Sequence, residues 1–266
     1  MEYNTTVIDF ALRANRKVFL ESHFKFISGH NGFRPGKCHL LMADTGAGKS
    51  TLARSMIYDI LLSLPKDKKL LLILSEESEM DYLIEIRKSG FDLKYLAKLE
   101  IITELEYKKN AIAVKTHLGK YFTENEDIGF ILFDNITSSC MYSGQQYHTQ
   151  CLTAHWLKDI AAKINAPILV IVHTNNTKKA NKRLIDMNEI RDSKIISIIS
   201  EFFYILNSIS VNDEVFKIIE VCKHRTQSIS HKLFLLHFDK KRSMYTKDTP
   251  LDYERVKLIF KDKNVY

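Results

Sequence analysis

The chain is poor in residues that punctuate or staple a fold. Four prolines and nine glycines in 266 residues are too few for a collagen-like or linker-rich protein, and no segment repeats or falls into low complexity. The four cysteines, Cys38, Cys140, Cys151 and Cys222, are scattered without metal-ligand spacing. That excludes a zinc module or disulfide scaffold and leaves buried thiols in a reducing compartment as the expectation. No apolar run reaches the length of a membrane span. The start, MEYNTTVIDFALRANRKVF, lacks the layout of a signal peptide. A cytoplasmic protein without a membrane partner is expected.

What is present is enough for a core. Hydrophobic residues make up 45% and charged residues 27%, the balance of a folded globular chain. The net charge of +7 leans toward anionic partners without naming nucleic acid.

Apolar runs alternate with helical patterns. KCHLLMA (37–43), KKLLLILSEES (68–78), LEIITEL (99–105), IGFILFDNITSS (128–139) and APILVIVHTNN (166–176) read as strands. Their continuous apolar character suits strands covered on both faces of a parallel sheet. TLARSMIYDILLSL, EMDYLIEIRKSG, AIAVKTHLGKYFTE and TQCLTAHWLKDIAAKIN read as the helices between them. EFFYILNSIS, EVFKIIEVCKHR and HKLFLLHFDKKRSMY read as further strands closing one edge in antiparallel fashion. The expected fold class is α/β, a mostly parallel twisted sheet flanked by helices with antiparallel strands at the C-terminal edge, and ligands at the carboxyl ends of strands.

The stretch MADTGAGKST (42–51) fits the phosphate-loop pattern G-x-x-x-x-G-K-[ST], with Ala43 in the first glycine's place. That position needs smallness more than a special dihedral. Gly46 and Gly48 free the backbone so that successive amides can face an anion. Ala43, Asp44, Thr45, Gly46, Ala47, Gly48, Lys49, Ser50 and Thr51 are therefore the candidate nucleotide-binding residues. Lys49 is suited to the β- and γ-phosphates of ATP and Ser50 to Mg²⁺. A helix from Ser50 to about Ser63 adds its dipole.

Other polar groups end the apolar runs. Asp134 closes FILFD and suits the same Mg²⁺ ion, usually through water. Glu76 and Glu77 follow LLLILS, and one of them suits the water that attacks ATP; spacing does not say which. His173 ends ILVIVH and could sense the γ-phosphate, although a histidine there is more often structural.

These motifs, in this order, resemble the RecA-like ATPase domains of the DnaB replicative-helicase type and the related RepA-type plasmid helicases. NGFRPGKCHLLMADTGAGKST is similar to the start of that domain, LILSEES to its catalytic-glutamate strand, ILFDNITS to its Walker B strand and VIVHTNN to its sensor strand. NEIRDSKIISIISEFFYIL resembles the family's arginine–glycine–serine segment with Asp192 for the glycine, and VCKHR its lysine-x-arginine finger. The resemblance spans about residues 25–245. It implies that Glu77 activates water and that Lys223 and Arg225 reach a neighbouring subunit's ATP site. It also implies a homo-hexameric ring driven by ATP and Mg²⁺. The KKANKR core of the loop after the sensor strand carries Lys178, Lys179, Lys182 and Arg183. In RecA-like rings this loop faces the channel, so these residues are expected on the backbone of single-stranded DNA. The SSCMYSGQQYHTQ loop, with Tyr142 and Tyr147, is a weaker second candidate.

The implied domain plan is an N-terminal extension or linker (1–24), a RecA-like ATPase domain (25–250) and a tail (251–266). The implied activity is ATP-driven movement on single-stranded DNA with unwinding of duplex. Two alternatives stay open: a RecA- or KaiC-like ATPase that remodels a protein or filament, and a nucleotide-dependent loading module with little turnover.

Overall fold

The computed structural model describes residues 20–29, 32–174, 184, 185, 189, 195–211, 214–224 and 232–252. The strands are β1 (Cys38–Ala43), β2 (Lys69–Leu74), β3 (Leu99–Thr103), β4 (Ile128–Asp134), β5 (Ile168–His173), β6 (Phe202–Val211), β7 (Glu214–His224), β8 (Lys232–Asp239) and β9 (Met244–Leu251). The helices are α1 (Lys25–Ser28), α2 (Lys49–Ser63), α3 (Glu79–Lys88), α4 (Leu93–Leu96), α5 (Ala111–Glu124), α6 (Tyr147–Ile164) and α7 (Ile195–Ile199). The strands make one sheet in the order β3-β2-β4-β5-β1-β6-β7-β8-β9. Pairing is parallel from β3 to β6 and antiparallel from β6 to β9. The α/β class and the antiparallel C-terminal edge expected from the sequence are both present.

Apolar runs become central strands because both sheet faces are covered. In β2, Leu70, Leu72 and Leu74 enter the core under α2 and α3, while Leu71 and Ile73 enter the core under α5 and α6. The same alternation splits Phe130 and Leu132 of β4 from Ile131 and Phe133. Side chains two apart share a face, so a strand apolar at every position needs a layer on each side. Helix starts are set locally: Ser78 Oγ accepts from Asp81 N–H at the start of α3, and Asn110 Oδ1 accepts from the amides of Ile112 and Ala113 at the start of α5.

One strand is hidden in the sequence pattern. HKLFLLHFDKKRSMY reads as a single segment, but the chain turns after Asp239, whose Oδ1 accepts from the amides of Lys241 and Arg242, and returns as β9. β9 is the outer strand, so it tolerates Pro250 and charged residues that mask a strand pattern. It is pinned inward by two carboxylate bonds, from Lys25 N–H (2.6 Å) and Phe26 N–H (2.8 Å) to Asp248, and by Tyr245 N–H donating to Ser55 Oγ of α2 at 2.9 Å. Residues 20–24 also pack on the domain: Leu20 bridges to Phe33, and the His23 backbone and ring both bond to Asp59 of α2. Among the described residues no helix is long and apolar enough to cross a membrane.

Candidate nucleotide site

The loop between β1 and α2 is shaped as an anion cradle. Gly46 has φ +79° and Gly48 φ +98°, the left-handed region closed to most side chains. Ala43 is the last residue of β1, fully buried between its partners His173 and Leu206, so smallness is what its position demands. Within the turn, Ala47 N–H donates to Asp44 O at 3.1 Å. Among the described residues no side chain caps α2, and the amide of Leu52 bonds to Gly48 O at 2.9 Å. Among the described residues the amides of Gly46, Gly48, Lys49, Ser50 and Thr51 have no acceptor. Unpaired amides at a helix start favour a phosphate.

Sheet order brings three strand tips to this loop. β5 and β1 are neighbours, with β4 and then β2 beyond. Lys49 Nζ lies 2.9 Å from His173 Nε2 and 3.2 Å from Nδ1, within reach of both ring nitrogens. Thr45 Oγ1 is 3.4 Å from His173 Nδ1. Thr174 Oγ1 donates to Asp44, tying the loop's first residue to the end of β5. His173 is held in turn by its backbone N–H, which donates to Thr137 Oγ1 at 3.0 Å.

The charges are arranged unequally. Burial lowers the Lys49 pKa, with Asp134 and Glu76 pulling it back up. Burial pushes Asp134 up to about 6; Lys49 and Arg54 oppose the rise, while Glu76 and Glu77 add to it. Burial also works against Glu76, but Ser138, His173, Lys49 and Asn135 together hold its carboxyl below the usual range. Glu77 is raised by burial; Arg54 opposes this, and Asp81, Glu85 and Glu76 push the same way as burial. The two glutamates thus face different surroundings. Glu76 accepts from Asn135 Nδ2 at 3.2 Å on the side of Lys49 and His173, and Glu77 lies near Arg54.

This donor set fits Mg²⁺. Asp134 is buried with Glu76 and Glu77 adding to the rise that burial causes, and a divalent cation beside it would favour its charged form. Among the described residues no cluster of three protein ligands exists. Magnesium is usually held by one or two side chains, water and substrate phosphates, so Ser50 and Asp134 are a sufficient protein share.

Several residues of this network carry no mark in the sequence. Asn135 joins Glu76 to Thr137, whose hydroxyl donates to Asn135 Oδ1 at 2.9 Å. Glu104, fully buried just after β3, accepts from Ser139 Oγ, from Cys140 N–H and from Ser75 Oγ, which joins the tip of β2 to the loop after β4. Arg54 does carry a signal: it stands four residues after Ser50, on the same helix face. The polar run after Asp134 is visible in the sequence, but its partners are not.

Other candidates lie elsewhere. Lys178, Lys179, Lys182, Arg183, Asp192 and Arg225 fall outside the described residues. Lys223 pairs with Phe203, which pairs with Leu40, so it stands toward the entry end of β1, away from its own phosphate loop. Its ammonium donates to Ser197 O at 2.9 Å. Tyr142 is fully buried and unavailable to stack on a base, whereas Tyr147 is exposed at the start of α6. All four cysteines are free; Cys38 and Cys222 are buried, and burial pushes the thiols of Cys38 and Cys140 up to about 12.

A β-strand, a glycine loop with bare amides, a helix and flanking strands tipped with carboxylates define a RecA-like P-loop ATPase. The chain belongs to the AAA domain family, whose model matches residues 29–179. It is also similar to the archaeal flagellar ATP-binding protein FlaH of Sulfolobus acidocaldarius, 27% identical over 225 residues that cover 81% of this chain and 90% of that protein.

Proposed function

We propose that the chain hydrolyses MgATP and that subunits in a hexameric ring use the energy to move along single-stranded DNA. The observation that carries the ATP chemistry is the convergence of Lys49, His173, Glu76 and Asp134 on a loop with unpaired amides. Ser50 and Asp134 would hold Mg²⁺, which supplies charge neutralisation at the phosphates. Lys49 binds the β- and γ-phosphates and leaves His173 to do so. His173 then senses the γ-phosphate and passes its presence to the loop that follows. A glutamate at the tip of β2 takes the proton of the attacking water; the family resemblance assigns this to Glu77, with Glu76 orienting the neighbouring polar groups. Lys223 and Arg225 serve a neighbour's site, which accords with the distance of Lys223 from its own loop.

Movement on DNA is supported by the order of helicase-type motifs and by the basic run Lys178, Lys179, Lys182 and Arg183. A second reading, a nucleotide-dependent module of a protein assembly, is favoured by the likeness to FlaH across most of both chains and by the burial of Tyr142. ATP turnover measured with and without single-stranded DNA separates them. Under the DNA reading, single strands stimulate turnover. Neutralising the four basic residues together then abolishes the stimulation and flattens the salt dependence of binding, because fewer counterions are released. Turnover indifferent to DNA, with no single-strand binding, leaves the assembly reading.

A further inference from the structure

Two side chains from the C-terminal strands stand against the phosphate loop. A methyl group built on Gly48 would lie 2.8 Å from Tyr245 Oη and 3.9 Å from Lys217 Cε. Tyr245 is the second residue of β9 and is anchored through its N–H to Ser55 of α2. Lys217 lies near the start of β7 and pairs with Ser208 of β6, two residues beyond Leu206, which pairs with the last residue of β1. Both lie outside the residues that the AAA domain model matches.

Both have unused hydrogen-bonding capacity. Tyr245 is only 3% exposed, yet among the described residues its hydroxyl has no hydrogen-bond partner. The hydroxyl keeps contact with solvent beside the loop, so its donor is available to an acceptor bound there. Lys217 is half-buried; its ammonium donates to Ser208 Oγ at 2.7 Å, and among the described residues no carboxylate pairs with it. Burial lowers its pKa. An ammonium has three donors. A half-buried one with a single neutral acceptor favours an anion.

Strand order decides which part of a nucleotide this anion is. Glu76 follows β2, and Asp134 and His173 close β4 and β5, all on one side of β1; Lys217 and Tyr245 come from β7 and β9 on the other. A nucleotide laid across the tip of β1 with its reacting γ-phosphate among the carboxylates has its adenosine end toward β6 and β7. We propose that Lys217 Nζ and Tyr245 Oη bind the α-phosphate of the nucleotide, forming a second wall of the cradle opposite Lys49 and His173. The proposal rests on the nucleotide-binding reading above. It also gives Gly48 a second reason to be glycine: a side chain there would meet Tyr245 as well as strain the backbone.

The test is equilibrium binding of MgADP and MgATP to the full chain by calorimetry. The α-phosphate is common to both ligands, so Lys217→Gln should weaken both by the same factor, about tenfold or more for a lost charge-assisted bond. Lys217→Arg should restore most of the affinity. Tyr245→Phe, which removes only the hydroxyl and keeps the packing, should weaken both about threefold. Wild-type affinity in Lys217→Gln and Tyr245→Phe overturns the proposal, and so does a loss confined to ATP, which would put the contact at the γ-phosphate. A wild-type chain that binds neither nucleotide sinks the nucleotide reading itself. Wild-type binding with unchanged variants sinks this inference alone.

Discussion

Strands β1, β2, β4 and β5 are buried along almost their whole length, whereas β8 and β9 alternate between buried and open positions. The two halves of the sheet also present chemistry differently. In the parallel half every strand runs the same way, so all its carboxyl ends meet at one edge, and Glu76, Asp134 and His173 follow or close their strands there. In the antiparallel half the direction reverses at each step, and β7 and β9 reach that edge with their beginnings. Lys217 and Tyr245 are therefore early in their strands, and Lys223, late in β7, is carried to the far end. A search for polar groups at strand tips succeeds in the first half and fails in the second for this geometrical reason.

The largest expected effect comes from breaking the parallel half at its loop. Lys49→Ala should reduce ATP turnover to background and strongly weaken nucleotide binding, because the cation facing the β- and γ-phosphates is gone. Wild-type turnover would show that this loop is not the site. With the cradle intact, Glu77→Gln should keep ATP binding and lose most turnover, and Glu76→Gln should lose less; the reverse order would move the water-activating role to the glutamate that contacts Asn135.

A smaller effect separates the two cores. Leu72 is fully buried in β2, while Leu235 of β8 is only partly buried. Leu72→Ala should cost about 2–5 kcal/mol of unfolding free energy and Leu235→Ala distinctly less, since the cost follows the buried apolar surface that the truncation removes and the cavity it leaves. Urea unfolding of the two variants checks this; equal losses would mean that the antiparallel edge is as tightly packed as the centre.

The smallest effect has a pH signature. The Asp134 carboxyl titrates in the folded chain at about 6, above its ordinary 3.8. The folded state then holds the proton more tightly than the unfolded one, so its stability falls as pH rises from about 4 through 6. Without nucleotide or divalent ions, Asp134→Asn should therefore stabilise the chain at pH 7.5 by up to about 2–3 kcal/mol. The gain should shrink as pH is lowered toward 4, where the wild-type carboxyl is already protonated. Unfolding at pH 7.5 and pH 5 reads it out, and a pH-independent gain would place the cause in packing.

Much of the site can be read along the chain because its pieces are local. The strand, glycine loop and helix from Cys38 to Ser63 form one continuous stretch, and Asp134 and His173 each close an apolar run. Their junctions are not readable in that way. Lys49 and His173 touch across 124 positions, and Tyr245 bonds to Ser55 across 190. The distinction between Glu76 and Glu77 is equally closed to spacing, since it depends on Asn135 on one side and Arg54 on the other.

The sequence by itself determined the alternation of strands and helices, the phosphate loop and the class of ligand it suits. Each of these depends on residue order over one or two turns or a single strand, where sterics and burial act on near neighbours. The tertiary structure decided which strand tips meet, which glutamate faces Lys49, where β9 lies and that Lys217 and Tyr245 flank Gly48. Those outcomes depend on strand order and register in a sheet of nine described strands. Register is set by burying many side chains at once, so no single stretch of the chain contains it.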